Sequence, residues 1–201
     1  TYFGHHISTI EGGMVCTSDT KIFNVLKSLR SHGWDRDMDQ KYKNKLRKEW
    51  GTSEFDALYT FYNSGFNLRS TDLQAFIGIG QIDKLDDIVK RRNDNFIFYQ
   101  GQLKEFKPDV WEWADDFVSN FAYPVIHENK DIIVKRLQDA DIEVRPMICG
   151  SMGTQPFYVK NYGKKILHNA SIVDQYGFYV PNHPGLHLDD IFKITNIIKS
   201  A

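Results

Sequence analysis

Apolar and polar positions along the chain switch between helical and strand periods, and the switches predict a series of short elements. Met14-Val15-Cys16-Thr17, following the Gly12-Gly13 turn, reads as a short buried strand. Ser18 suits the N-cap of the next helix, in which Ile22, Val25, Leu26 and Leu29 recur at helical spacing and predict a core-facing stripe. His32-Gly33 ends that helix. Residues 33 to 68 carry no clean period and are rich in Trp, Tyr, Phe, Asp and Arg, a composition expected of a functional or partly helical connection. Ser70 or Thr71 caps a further helix with Leu73, Phe76, Ile77 and Gly80 along one face. A longer helix is predicted from about Asp86 to Phe106, stopped by Pro108.

Beyond that point the texture changes. Strands are predicted over 117–126, 142–147 and 177–180, alternating with helices over 129–140, 166–175 and 188–199. Alternation of this kind describes a small α/β layer domain. The boundary falls near 107–116, dividing the chain into domains over residues 1–107 and 108–201, and the fold class is α/β.

Composition narrows the picture. With 41% apolar residues and a formal net charge of −1, the chain can bury a core and exerts no general attraction for nucleic acid or anionic membranes. The basic run from Lys41 to Lys48 is interrupted by Tyr42, Asn44 and Leu46 and reads as a solvated helix face. No apolar run approaches the roughly 20 residues that a membrane span needs. Cys16 and Cys149 lie far apart, match no metal spacing and read as reduced cytoplasmic thiols. The first residue is not Met and no leader signal precedes the first loop, so the chain is expected to be a piece of a longer protein.

Three places carry candidate chemistry. His5-His6 precedes Glu11-Gly12-Gly13; adjacent histidines make a poor metal pair, so they are either polar loop residues or a proton-transfer group above a glycine loop that approaches a cofactor closely. No metal site is expected. In Ser64-Gly65-Phe66-Asn67-Leu68-Arg69-Ser70-Thr71-Asp72-Leu73-Gln74-Ala75, Asn67 either supports the turn before the capped helix or offers an amide donor to a phosphate. In Ser31-His32-Gly33-Trp34-Asp35-Arg36-Asp37, Arg36 presents a guanidinium fork suited to a diphosphate, or forms a surface ion pair with Asp35 or Asp37.

Taken together these segments resemble the DegT/DnrJ/EryC1/StrS sugar aminotransferases, pyridoxal phosphate enzymes of fold type I. In that family a lysine, followed by an Xaa-[Ile/Leu]-[Ser/Thr]-Thr-Xaa-Glu-Gly-Gly run, carries the cofactor as a Schiff base; here the position reads His5. The resemblance extends to the Asn67 segment and to Ile142-Glu143-Val144-Arg145-Pro146, Gly150-Ser151-Met152-Gly153-Thr154-Gln155-Pro156-Phe157 and Gly177-Phe178-Tyr179-Val180-Pro181-Asn182-His183. Thr154 stands where the related pattern has Arg. The resemblance implies the C-terminal half of such an enzyme: part of a large domain with a mixed, mostly parallel sheet, then a small α/β domain. It also implies a homodimer with shared active sites.

Histidine at the lysine position points to the 3-dehydratase branch, in which pyridoxamine phosphate is held noncovalently and a base removes a proton while hydroxide leaves the sugar. The resemblance assigns that base to His5, the cofactor phosphate to Asn67, and a nucleotide-linked 4-keto-6-deoxy hexose, GDP-linked, to Arg36, Glu143 and Arg145. Glutamate is the implied amino donor, and O-antigen deoxysugar synthesis the implied setting. An iron–sulfur route calls for about four thiolates, and the chain has two cysteines. A perosamine synthase-like 4-aminotransferase, which needs the lysine, and an incomplete non-catalytic fragment are the alternatives.

Overall fold

The computed structural model describes residues 1–2, 4–104 and 116–201. The chain forms two compact units, Thr1–Phe3 with Ile7–Ile82, and Gly4–His6 with Asp83–Ala201. The expected boundary at 107–116 and the stop at Pro108 fall almost wholly outside the described residues.

In the first unit, α1 (Thr20–Arg30), α2 (Gln40–Trp50) and α3 (Asp72–Ile82) are joined by loops and a 3₁₀ turn over Asp56–Tyr59. The predicted strand at 14–17 is not formed: the segment has no ladder partner among the described residues, and Met14 and Val15 stand 84% and 73% exposed. Asp19, not Ser18, caps α1, its carboxylate accepting from the amides of Lys21 at 2.7 Å and Ile22 at 3.0 Å. The stripe expected to face a core is also corrected. Ile22 and Val25 are exposed, and the buried positions of α1 are Asn24 and Ser28.

Those buried polar groups are satisfied by building the neighbouring loops. Asn24 accepts from the Asp39 amide at the start of α2 and donates to Thr20 and Asp39. Ser28 receives the Asn63 carboxamide at 3.0 Å. The unit is therefore held by buried hydrogen bonds around a small apolar content, Met38 and Ala57. The basic run lies on α2, which has no buried residue, as expected of a solvated face.

The second unit has α4 (Leu85–Gln102), β1 (Ala122–Ile126), α5 (Lys130–Asp139), β2 (Arg145–Pro146), α6 (Pro156–Tyr162), α7 (His168–Tyr176), β3 (Gly177–Pro181) and α8 (Leu188–Lys199). The strands form one antiparallel sheet in the order β1-β3-β2, with Tyr123 opposite Val180 and Arg145 opposite Tyr179. The predicted strands over 117–126 and 142–147 shorten to five and two residues because only those stretches meet β3. The alternation of β1 and β3 puts Tyr123, Val125, Phe178 and Val180 on the inner face. Ile133 and Leu137 of α5, Tyr99 of α4 and Ile191, Ile194 and Ile198 of α8 close over them. The mixed, mostly parallel sheet implied for the large domain is not among the described residues, whose sheet is antiparallel.

Candidate functional site

The residues expected to carry chemistry divide between the two units: His5, Glu143 and Arg145 in one, Arg36 and Asn67 in the other.

His5 stands exposed in the second unit. Its ring meets Phe121 with centroids 5.7 Å apart, and Phe121 meets Tyr179 edge-on at 5.8 Å. Tyr179 pairs with Arg145 in the ladder, so two ring contacts and one register pair connect His5 to β2. Below His5 lies Arg92 of α4. Its Nη2 donates to the His5 carbonyl at 2.9 Å. Arg92 is 3% exposed, and its Nε and Nη1 have no hydrogen-bond partner among the described residues. Burial lowers its pKa from the ordinary guanidinium value.

His6 points elsewhere than into solvent, its Nε2 lying 2.8 Å from Ser119 Oγ. Burial first, then the positive charge of Arg92, lowers its pKa below the usual histidine value; Ser119 opposes the shift and His5 adds to it. The His-His pair is thus split by the fold into an exposed ring and a hydrogen-bonded, half-buried one. Among the described residues no three His, Cys, Asp or Glu side chains gather as a metal site.

Glu143 and Arg145 pair with each other, Arg145 Nε donating to Glu143 Oε1 at 2.8 Å. Both side chains are more than 60% exposed, so the pair adds little stability. Past β2 the chain enters an apolar depression of about 390 Å³ lined by Ile148, Met152 and Phe157. Thr154 turns its hydroxyl onto the Ser151 carbonyl at 2.8 Å.

In the first unit, the Asn67 segment is positioned by the end of α1. The last carbonyls of a helix lack intrahelical donors. Here Phe66 N reaches Leu29 O at 2.7 Å and Leu68 N reaches Arg30 O at 2.9 Å, while His32 N returns to Phe66 O. Asn67 forms a bridge with Ser31. The crossing is tight: a Cβ on Gly33, whose φ is +90°, would lie 1.8 Å from the Asn63 oxygen, and one on Gly65 would lie 2.2 Å from Gly33 N. Of the two caps expected for α3, Ser70 or Thr71, Thr71 serves, and Gln74 completes it, each side chain accepting from the other's amide.

Asn67, Arg69, Ser70 and Thr71 line a polar depression of about 380 Å³. Asn67 Oδ1 accepts from Arg69 Nε at 3.3 Å, which leaves the carboxamide nitrogen as the group's donor. This donor-rich set fits an anionic phosphate.

Arg36 is neither of the ion pairs considered from sequence. Asp35 is fully buried and takes Arg47 Nε at 2.7 Å, and Asp37 takes Arg30. Arg36 instead stacks on Trp34, its guanidinium carbon 3.7 Å from the ring centroid, and donates to the Leu58 carbonyl.

A profile described as the DegT/DnrJ/EryC1/StrS aminotransferase family matches residues 2–199. The chain belongs to that family. It is 27% identical over 208 residues to GDP-4-keto-6-deoxy-D-mannose 3-dehydratase of Escherichia coli O55:H7, covering 99% of this chain and 53% of that protein. It is 24% identical over 210 residues to GDP-perosamine synthase of Vibrio cholerae, covering 100% of this chain and 51% of that protein. Among solved structures, a GDP-4-keto-6-deoxymannose-3-dehydratase with a trapped PLP-glutamate geminal diamine matches with TM-score 0.82 at 25% identity, over 98% of this chain and 52% of that one. The family membership fixes the fold class: the chain is α/β and superposes on about half of a fold type I enzyme. It spans about half the length of the curated relatives it matches.

Arg92, Ser119 and Phe121 were not singled out from sequence. Arg92 hid in the run Lys90-Arg91-Arg92, which looks solvated. Its spacing to Asn95, Phe96 and Tyr99 places it on the buried stripe of α4, and that spacing was the available signal.

Proposed function

We propose that the protein of which this chain forms part is a pyridoxamine phosphate-dependent 3-dehydratase acting on a GDP-linked 4-keto-6-deoxy hexose. The observation that carries the reading is an imidazole, not an amine, at position 5 of a chain from an aminotransferase family. Histidine cannot anchor the cofactor covalently, but it can accept and return a proton near neutral pH. The similarity to the 3-dehydratase supports the same conclusion.

When bound, pyridoxamine phosphate supplies an amine that captures the keto sugar and a ring that takes up electrons as hydroxide departs. His5 holds and moves the proton on its exposed imidazole. Asn67, with Arg69, Ser70 and Thr71, is the phosphate-binding set, its donors arranged on the rim of α1. Arg36, pre-stacked on Trp34, takes the diphosphate of the nucleotide, and the solvent-facing Glu143–Arg145 pair takes the sugar. Glutamate is the amino donor, two copies of the protein share the sites, and the domains run over residues 1–107 and 108–201.

The test is direct. The complete protein is incubated with GDP-4-keto-6-deoxymannose, pyridoxamine phosphate and glutamate. The expected product is a sugar nucleotide lighter by one oxygen, with one 2-oxoglutarate and one ammonia per turnover. His5→Asn is expected to lower the rate by about 10²-fold or more. An amino sugar in place of the deoxy sugar would establish transamination instead, the chemistry named for the perosamine synthase relative.

A further inference from the structure

A buried arginine ordinarily has an acidic partner, because an uncompensated charge in a poorly solvated place is expensive. Arg92 has none. It is only 3% exposed, it enters no ion pair among the described residues, and two of its three nitrogens are unpartnered there. Its one hydrogen bond goes to the main chain of the residue at the centre of the candidate site, Nη2 to His5 O at 2.9 Å. Its own carbonyl is held by Asn182 Nδ2 at 3.0 Å, and that amide also ties Asn120. Asn93, the next residue of α4, receives the Val118 amide at 2.8 Å. One turn of α4 therefore fixes both the His5 carbonyl and the 118–121 segment whose Ser119 and Phe121 meet His6 and His5.

We propose that Arg92 is a positioning residue for the candidate base: by donating to the His5 carbonyl it fixes the backbone there, and so the direction in which the His5 imidazole faces its partner. An exposed loop histidine has many orientations, and a proton-transfer group must occupy one within hydrogen-bond reach of the reacting carbon. A charge-assisted bond from a rigid helix limits those orientations more than a neutral one. A second consequence follows for the neighbour. The charge of Arg92 acts on His6, whose surroundings are Ser119, His5 and Arg92, and on His183, which Asp190 also faces. It adds to burial in lowering the pKa of both.

The inference deepens the dehydratase reading and rests on it for the word base; the geometry it describes can be read without any cofactor. The experiment is nitrogen–proton correlation NMR of the histidine rings in the complete protein, titrated between pH 5 and 8, for Arg92→Met and Arg92→Lys. In Arg92→Met, the His5 ring signals are expected to shift and broaden and the His6 titration to move to higher pH. In Arg92→Lys, the His6 titration is expected to stay near wild type because the cation remains, while the His5 signals still move because the forked donor is lost. If the Met variant does not fold, the His5 signals of the Lys variant decide alone. In the dehydration assay, kcat is expected to fall at least tenfold with KM for the sugar nucleotide within twofold. Unchanged His5 signals in the folded variants would overturn the proposal. Absence of deoxy sugar from the wild type would overturn the dehydratase reading and leave the NMR result standing.

Discussion

Arg47 Nε donates to Asp35 Oδ2 at 2.7 Å, and Asp35 is completely buried. The pair joins α2 to the loop that carries Trp34 and Arg36. Asp35 Oδ1 has no partner among the described residues, so the carboxylate depends on Arg47 for compensation. The hydrogen bond to Asp35 also raises the Arg47 pKa, keeping it charged at any working pH. Arg47→Met is expected to destabilise the protein by about 3 kcal/mol, because it leaves a buried charge unpaired. Asp35→Asn removes that charge together with its partner's need and is expected to cost less. Chemical denaturation of the two variants checks the order.

Arg36 gives a prediction on binding. Its guanidinium is already stacked on Trp34, so under the proposed diphosphate role little ordering would remain on binding. Arg36→Met is expected to weaken GDP binding about tenfold or more, the size of a lost charge-assisted hydrogen bond. Trp34 fluorescence provides the signal. The effect is expected to shrink as salt is raised.

Stability is expected to fall on mild acidification. His6 and His183 both have pKa values lowered below the usual histidine value, chiefly by burial. Between those lowered values and about 6.5, the unfolded chain binds protons that the folded chain refuses, so stability rises with pH through that window and is lost as pH falls through it. A melting temperature measured from pH 7.5 down to 5.5 should decline, and His6→Gln should flatten the decline. A slope unchanged in that variant would show that His6 does not take part.

The core of the second unit gives the largest single effects. Phe178 is fully buried in the cluster between the sheet and α5, α4 and α8. Phe178→Ala is expected to cost about 3–5 kcal/mol in urea unfolding, from lost transfer energy and an incompletely collapsed cavity. Tyr99 stacks on Tyr123 at 4.6 Å and donates to the Pro181 carbonyl at 2.9 Å. Burial pushes the Tyr123 phenol up to about 12 and raises Tyr99 as well, so neither ionises in the physiological range. Tyr99→Phe keeps the stack and is expected to cost about 1 kcal/mol, the net value of one hydrogen bond.

Period and local chemistry determined much of this protein. Ile191, Ile194 and Ile198 announce α8 from their spacing, and Thr71 with Gln74 announces the start of α3, because helical periodicity and capping are properties of residues close in sequence. Ordered motifs identified the family, and the resemblance sets His5 against the family's lysine, a difference that side-chain identity alone makes. Other features needed distant segments to meet. Met14 and Val15 have strand chemistry and no strand, because a ladder requires a partner. Asp35 and Arg36 are adjacent, yet one is buried against Arg47 and the other stacks on Trp34. His5 and His6 are equivalent as letters. They differ in space because Arg92 of α4 donates to the His5 carbonyl while Ser119, beyond α4, bonds the His6 ring, so the desolvation and charge around the His6 imidazole come from residues about a hundred positions away.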